Sequence, residues 1–247
     1  MFAIPMFAIE KQKHFAAILL FTVSLMFSAG LYAGDVASFV DLGFSENGAV
    51  YMFAQYGVDE HTLRPWSELY IVDVGKNDFV KGGRLSYRHD KPVALGQDGS
   101  AALLRIISHN TEIIQKYRSN FMQQGIPLFI SLEDIRSSGG QTIDFRDFEK
   151  RAYYSAALNS IFFGGGKDIR SSFFIILDRT DNDGVKKTYR VGNPDVKRAG
   201  VTTYSIKKAI VNPARTSMIL VIEMTLLNGD GNGDGSDIRY MVETLHF

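Results

Sequence analysis

The sequence predicts an α+β fold made mainly of antiparallel β meanders, with one main helical insertion. Two stretches, residues 39–74 and 211–244, each repeat the order strand, turn, strand, loop, strand. In the first, Asn47-Gly48 separates two apolar runs, a strong hairpin signal because both residues tolerate positive φ angles. Between the two stretches, residues 100–123 place apolar side chains at a period of about 3.6 residues, which is typical of a helix.

The first β half covers residues 35–90. Its second strand, residues 49–56, is apolar on both faces and is therefore expected in the middle of a sheet. A weaker strand at residues 79–87 is interrupted by Gly82-Gly83, where we expect a bulge.

The helical insertion covers residues 98–125. A helix is predicted from Ser100 to Gln123, with a break at residues 108–111, and Gly125 followed by Pro127 ends it.

The second β half covers residues 128–247. Its segment 148–163 fits either a helix or a strand, and residues 171–191 are predicted to form a hairpin around Asp181–Gly184. The remaining predicted strands are 128–132, 142–145, 202–211, 218–224 and 237–244.

The N-terminus has the features of a secretory signal peptide. Lys11 and Lys13 precede an apolar run, residues 15–27, and the small residues Ser28-Ala29-Gly30 follow. The apolar run is shorter than the roughly 18–20 residues of a spanning helix. We therefore predict a signal peptide at residues 1–33, a single β-rich exported domain at 34–247, and no membrane span after cleavage. An uncleaved N-terminal anchor is the alternative.

Composition limits the chemistry further. The chain has no cysteine, which excludes disulfides and thiolate catalysis, and its 27 basic and 27 acidic residues give no net charge to attract nucleic acid. Its five histidines are dispersed, without the spacing that places two metal ligands on one face.

Residues 43–53, with the strand 68–73 that follows, resemble the repeat of TolB-type β-propeller proteins. In that repeat a Ser-Pro-Asp-Gly-like turn joins two strands and a third strand ends in an acidic residue; here Glu46 replaces the proline and two partial copies are visible. The resemblance implies a small, irregular β-propeller as the alternative fold, with residues 100–123 as an excursion from the ring.

A wider pattern resembles a family of predicted secreted bacterial proteins with no assigned function. It comprises the N-terminal leader, Gly43-Phe44-Ser45, Gln55-Tyr56-Gly57, and the strands 70–74 and 237–242. The resemblance implies export to the periplasm or the exterior and carries no catalytic residues with it.

One acidic loop matches the start of a calcium site. Oxygen-bearing side chains stand at its first, third, fifth and eighth positions, and Gly235 occupies the sixth, but Met241 stands where calcium loops have a bidentate glutamate. The candidate ligands are Asp230, Asn232, Asp234 and Asp237. The alternative is a solvated hairpin tip, which is also the favoured interpretation of Asp181–Gly184.

The loop of residues 59–66 is a candidate binding site. It places His61 and Arg64 beside Trp66, the single tryptophan of the chain, and Trp and Arg recur at binding hot spots. The alternative is that Trp66 folds back to cover the edge of the sheet.

These features favour an exported envelope or periplasmic protein that acts as a non-enzymatic binding or structural module. Its partner would be an envelope protein or a glycan. The alternative is a hydrolase that uses carboxylates from separate strands, and the candidate residues are Glu68, Asp73, Glu223 and Glu243.

Overall fold

The computed structural model describes residues 35–94, 96–117, 122–132, 140–227 and 236–247. The predicted signal peptide lies outside these ranges. The described strands are β1 (Ser38–Phe44), β2 (Val50–Val58), β3 (Pro65–Asp73), β4 (Asp78–Arg88), β5 (Ile126–Ile130), β6 (Gln141–Asp147), β7 (Ala152–Phe163), β8 (Arg170–Thr180), β9 (Lys186–Val191), β10 (Arg198–Ala199), β11 (Val201–Val211), β12 (Ser217–Leu227) and β13 (Ser236–His246). The described helices are α1 (Ser100–His109) and α2 (Thr111–Lys116).

The N-terminal sheet is the predicted meander, with β1, β2, β3 and β4 side by side in sequence order. The turn between β1 and β2 differs from the expected one, because Gly48 has a positive φ of 70° whereas Asn47 does not. Asn47 contributes through its side chain instead, whose Oδ1 accepts hydrogen bonds from the Ser45 hydroxyl at 2.8 Å and the Ala49 N–H at 3.1 Å.

The bulge expected in β4 is confirmed. The register between β3 and β4 shifts between Tyr70 and Val72, and Gly82 has a φ of 75°, a conformation that glycine adopts without strain.

The helical segment breaks where the sequence predicts, but it is shorter. Asn110 separates the two helices and its side-chain N–H donates to the Ile106 carbonyl at 2.7 Å, which competes with continuation of the helix. Helix α2 ends at Lys116, and Gln123 is not helical because its carbonyl accepts the Phe44 N–H at 3.0 Å, which draws the chain towards β5. Residues 118–121 lie outside the described ranges.

The central sheet has the order β13, β12, β11, β5. Side chains of β12 alternate between two cores: Leu220 and Ile222 pack on one side of the sheet, and Ile219 and Val221 pack on the other. All four are fully buried, so the central sheet is covered on both faces.

The distal sheet is built on β8, which pairs with β7 along one edge and with β9 and β10 along the other. The ambiguous segment 148–163 resolves into a turn followed by strand β7. Tyr154, Ala156 and Leu158 are buried at alternate positions, which is the strand period.

The three sheets stack in layers. One core joins the distal sheet to the central sheet, a second joins the central sheet to the N-terminal sheet, and a third places α1 and α2 on the outer face of the N-terminal sheet. The α+β prediction is therefore confirmed. Within the described ranges the strands close no barrel, and the propeller-type repeat is not confirmed. No helix in those ranges has the length and apolar character that membrane crossing requires.

Because the central sheet is buried on both faces, truncation on either face should destabilise the protein. We expect Ile219→Ala and Leu220→Ala each to lower the free energy of unfolding by about 2–5 kcal/mol. Urea unfolding followed by circular dichroism measures both, with Lys187→Ala at an exposed position of β9 as the control, expected within about 0.5 kcal/mol of the wild type. A negligible effect of either core substitution would mean that one face of the sheet is open.

Candidate binding cleft

A cleft of about 630 Å³ is lined by residues from all three sheets. It lies where β13, the edge strand of the central sheet, passes the β3–β4 turn and the segment that links β9 to β10. Its polar walls include Asn77, Asn193, Arg198 and Glu243, and its apolar walls include Val72, Phe79 and Met241.

The β3–β4 turn fixes one wall of the cleft through Asn77, which adopts a positive φ of 52° that asparagine tolerates better than most residues. The Asn77 Oδ1 accepts the backbone N–H of Thr244 at 2.6 Å, and its Nδ2 donates to Glu243 Oε2 at 2.5 Å. The Thr244 hydroxyl donates to the carbonyl of Val74 at 2.8 Å. The turn is thus attached to the edge of β13 by three hydrogen bonds.

Glu243 is the buried acid of the cleft, with 5 % of its surface exposed. Burial raises the pKa of its carboxyl group, because the charged form loses hydration; the Asn77 hydrogen bond and the charge of Arg198 offset this only in part. A carboxyl group with a raised pKa can donate a hydrogen bond in its neutral form, in addition to accepting one.

The outer edge of β13 is covered at three points. Residues 35–37 run parallel to its start, with N–H···O bonds from Ala37 to Ile238 at 3.1 Å and from Ile238 to Asp35 at 3.0 Å. The Tyr240 N–H donates to Gln55 Oε1 at 2.8 Å. The Thr244 N–H donates to Asn77 Oδ1. Val242, between these two points, lies in the cleft wall together with Met241, Glu243 and Thr244.

The structure places Trp66 against the sheet, with 4 % of its surface exposed. Its indole N–H donates to Asp35 Oδ2 at 2.6 Å, and the Arg239 guanidinium lies 4.3 Å from the ring centre and 2.9 Å from the same Asp35 oxygen. Burial raises the pKa of the Asp35 carboxyl group in spite of these two partners.

The other two candidate residues of that loop are exposed: Arg64 immediately precedes β3, and His61 lies 3.5 Å from the Glu60 carboxylate. The structure therefore does not place Trp66 on an open surface with them. A binding role for Trp66, Arg64 and His61 stays a prediction.

The predicted calcium loop falls mostly outside the described residues, which include Asp237 but not Asp230, Asn232 or Asp234. Asp237 accepts the Asp35 N–H at 2.9 Å and lies 3.8 Å from Arg239. The ranges described contain no group of three or more His, Cys, Asp or Glu side chains that could hold a metal ion. Calcium binding stays a prediction.

The four candidate carboxylates occupy different environments. Glu68 accepts hydrogen bonds from Gln55 and Tyr70, each at 2.7 Å. Asp73 pairs with Lys76 at 3.0 Å, and Glu223 with Lys207 at 3.3 Å.

Of the four candidates, Glu243 lines the cleft, and a further acid, Asp78 of β4, joins it there. Sequence reasoning missed Asp78, Asn77 and Arg198, and the available signal was only a cluster of turn residues at 75–78.

Comparison with known proteins gives one family match. The family described as "Predicted secreted protein (DUF2259)" matches residues 52–246, which is most of the chain and includes Asn77, Arg198 and Glu243. Comparisons with curated proteins and with solved structures gave no match.

Removing the Asp35 carboxylate should destabilise the fold, because it leaves the Trp66 N–H and the Arg239 charge without their shared acceptor. We expect Asp35→Ala to lower the free energy of unfolding by about 2–3 kcal/mol, measured by urea titration. Arg64→Ala, at an exposed position two residues before Trp66, serves as the control and should change the free energy of unfolding by less than about 0.5 kcal/mol. Equal unfolding midpoints for Asp35→Ala and wild type would contradict the role of this cluster.

The raised pKa of Glu243 predicts a pH-dependent stability. The folded-state pKa lies above the ordinary value of 4.5, so the contribution of Glu243 is fully present below that value and is lost as pH rises through the raised pKa. Glu243→Gln removes this dependence, and its stability relative to wild type should therefore improve as the pH rises from the ordinary value of 4.5 through the raised pKa. Thermal unfolding across that range measures the difference, and a difference that does not change with pH would show that Glu243 titrates normally.

Proposed function

We propose that this chain, which belongs to the DUF2259 family of predicted secreted proteins, is an exported, non-enzymatic binding module of the bacterial envelope. The proposal includes removal of the signal peptide at residues 1–33, which leaves a chain that begins near Gly34. The observation that carries the binding role is the cleft on β13, where Glu243 is buried and positioned by Asn77.

The dimensions of the cleft support a small ligand. Its volume of about 630 Å³ lies within the roughly 300–1,000 Å³ of ligand pockets, which combine apolar walls with a few placed polar groups. Here Val72, Phe79 and Met241 supply apolar surface, while Arg198 and Glu243 supply hydrogen-bonding groups.

The cleft is also held in place before any ligand arrives. Both ends of the Asn77 side chain are engaged, one by Thr244 and one by Glu243. Groups fixed in this way lose little conformational entropy on binding, which favours affinity. An envelope saccharide is the ligand class that we expect, because hydroxyl groups suit amide, guanidinium and carboxyl partners.

Binding is tested with purified protein that begins at Gly34. An array of envelope saccharides identifies ligands, and calorimetry then compares wild type with Glu243→Gln. At a pH low enough to keep Glu243 neutral, we expect Glu243→Gln to weaken binding by about tenfold, because it replaces an oxygen that can donate or accept with an amide nitrogen that can only donate.

Arg146→Met is the matched control, since Arg146 is an exposed arginine on the distal sheet that stacks on Tyr153 at 5.6 Å. Its affinity should equal that of wild type. A wild-type protein that binds no envelope saccharide, or a ligand that binds Glu243→Gln equally well, would contradict the proposal.

A hydrolase is the second candidate, and one observation favours it. Glu243 and Asp78 bring carboxyl groups from β13 and β4 into one cleft, and Glu243 has the raised pKa expected of a general acid. The saccharides recovered from the binding assay separate the two candidates. Intact ligand supports the binding module, whereas cleavage that both Glu243→Gln and Asp78→Asn abolish supports the hydrolase.

A further inference from the structure

We infer that the ligand of this cleft carries a carboxylate group, which pairs with the guanidinium of Arg198 beside the carboxyl group of Glu243. This inference rests on the binding function proposed above and adds the charge of the ligand.

Arg198 is held in place without a carboxylate partner. Its guanidinium lies 4.9 Å from the centre of the buried Phe173 ring, and its NH1 donates to the Val196 carbonyl at a long 3.3 Å. Arg198 also lies near the hydroxyl of the buried Tyr204, where it partly offsets the rise in pKa that burial causes. In the part of the chain that the structure describes, none of the ion pairs within 4.0 Å includes Arg198.

Donors therefore remain available on Arg198, because a guanidinium has five N–H groups in a planar fork that matches a carboxylate. Its charge is felt at Glu243, where it lowers the carboxyl pKa, but burial outweighs this effect. Glu243 is consequently an incomplete counterion for Arg198, and a ligand carboxylate would complete the pair.

The other charged groups around the cleft have contacts of their own. Lys76, in the β3–β4 turn, pairs with Asp73 at 3.0 Å. Asp78 on β4 accepts the Phe79 N–H at 2.7 Å. Arg190 on β9 stacks on Phe174 at 4.6 Å, and Phe174 points to the face of β8 opposite to Phe173.

Glu243 adds a second contact and a pH dependence. Its neutral form donates a hydrogen bond to a carboxylate, and O–H···O⁻ bonds of this kind are short and strong. Its ionised form repels the same carboxylate. Binding of an acidic ligand should therefore weaken as the pH rises.

Matched acid and ester probes test the inference. N-acetylmuramic acid and trigalacturonic acid are each compared with their methyl esters, which keep the shape and remove the charge. By calorimetry we expect wild type to bind at least one acid about tenfold more tightly than its ester. Arg198→Gln should remove that preference, whereas Arg198→Lys, which keeps the positive charge, should retain part of it.

Two further comparisons complete the test. As the pH rises through the raised pKa of Glu243, the affinity of wild type for the acid should fall, and Glu243→Gln should bind with little change over the same range. Arg146→Gln is the control and should behave as wild type. Thermal unfolding confirms that each variant is folded.

The outcomes separate this inference from the proposed function. Neutral saccharides that bind in the cleft as tightly as the acids, or an acid preference that survives in Arg198→Gln, overturn the charge inference and leave the binding function in place. A cleft that binds neither acids nor neutral saccharides overturns both.

Discussion

The need to cover the outer edge of β13 is the constraint on which much of this structure depends. An edge strand presents backbone N–H and C=O groups that need partners, and an uncovered edge invites pairing with other chains. Here the partners come from far away in the sequence: residues 35–37 at one end, Gln55 in the middle and Asn77 at the other end. Three segments of the N-terminal half are thereby attached to the last strand of the chain.

Each of these attachments has its own polar surroundings. Residues 35–37 bring Asp35 to Trp66 and Arg239. The Gln55 side-chain N–H donates to the carboxylate of Glu68, which also accepts a hydrogen bond from the Tyr70 hydroxyl. The Asn77 side-chain N–H donates to Glu243, and this third attachment borders the cleft. At this point the edge of β13 is covered in a way that leaves a buried acid facing the cleft.

Short-range patterns account for the part of the fold that the sequence predicts. The meander, the bulge at Gly82 and the break at Asn110 all depend on neighbouring residues, through side-chain period and turn chemistry. The prediction that both Asn47 and Gly48 adopt positive φ angles holds for Gly48 alone, because the Asn47 side chain supplies hydrogen bonds to the turn without a positive φ.

The cleft could not be predicted in the same way. Asn77 and Glu243 lie 166 positions apart, and alone they are typical of a turn asparagine and a strand glutamate. Likewise, the partner that buries Trp66 is Asp35, 31 positions away and next to the predicted end of the signal peptide. Composition marked residues 59–66 as unusual, but only the stacking of the sheets decides which of their side chains reach solvent.

The position of Trp66 has a practical consequence. Because the chain contains one tryptophan, its intrinsic fluorescence comes from a single indole, and that indole is bonded to Asp35 and covered by Arg239. Release of residues 35–37 from β13 would expose the ring to water and remove the carboxylate beside it. The emission spectrum of the unlabelled protein therefore reports directly on whether the N-terminal segment of the exported chain is attached to the central sheet.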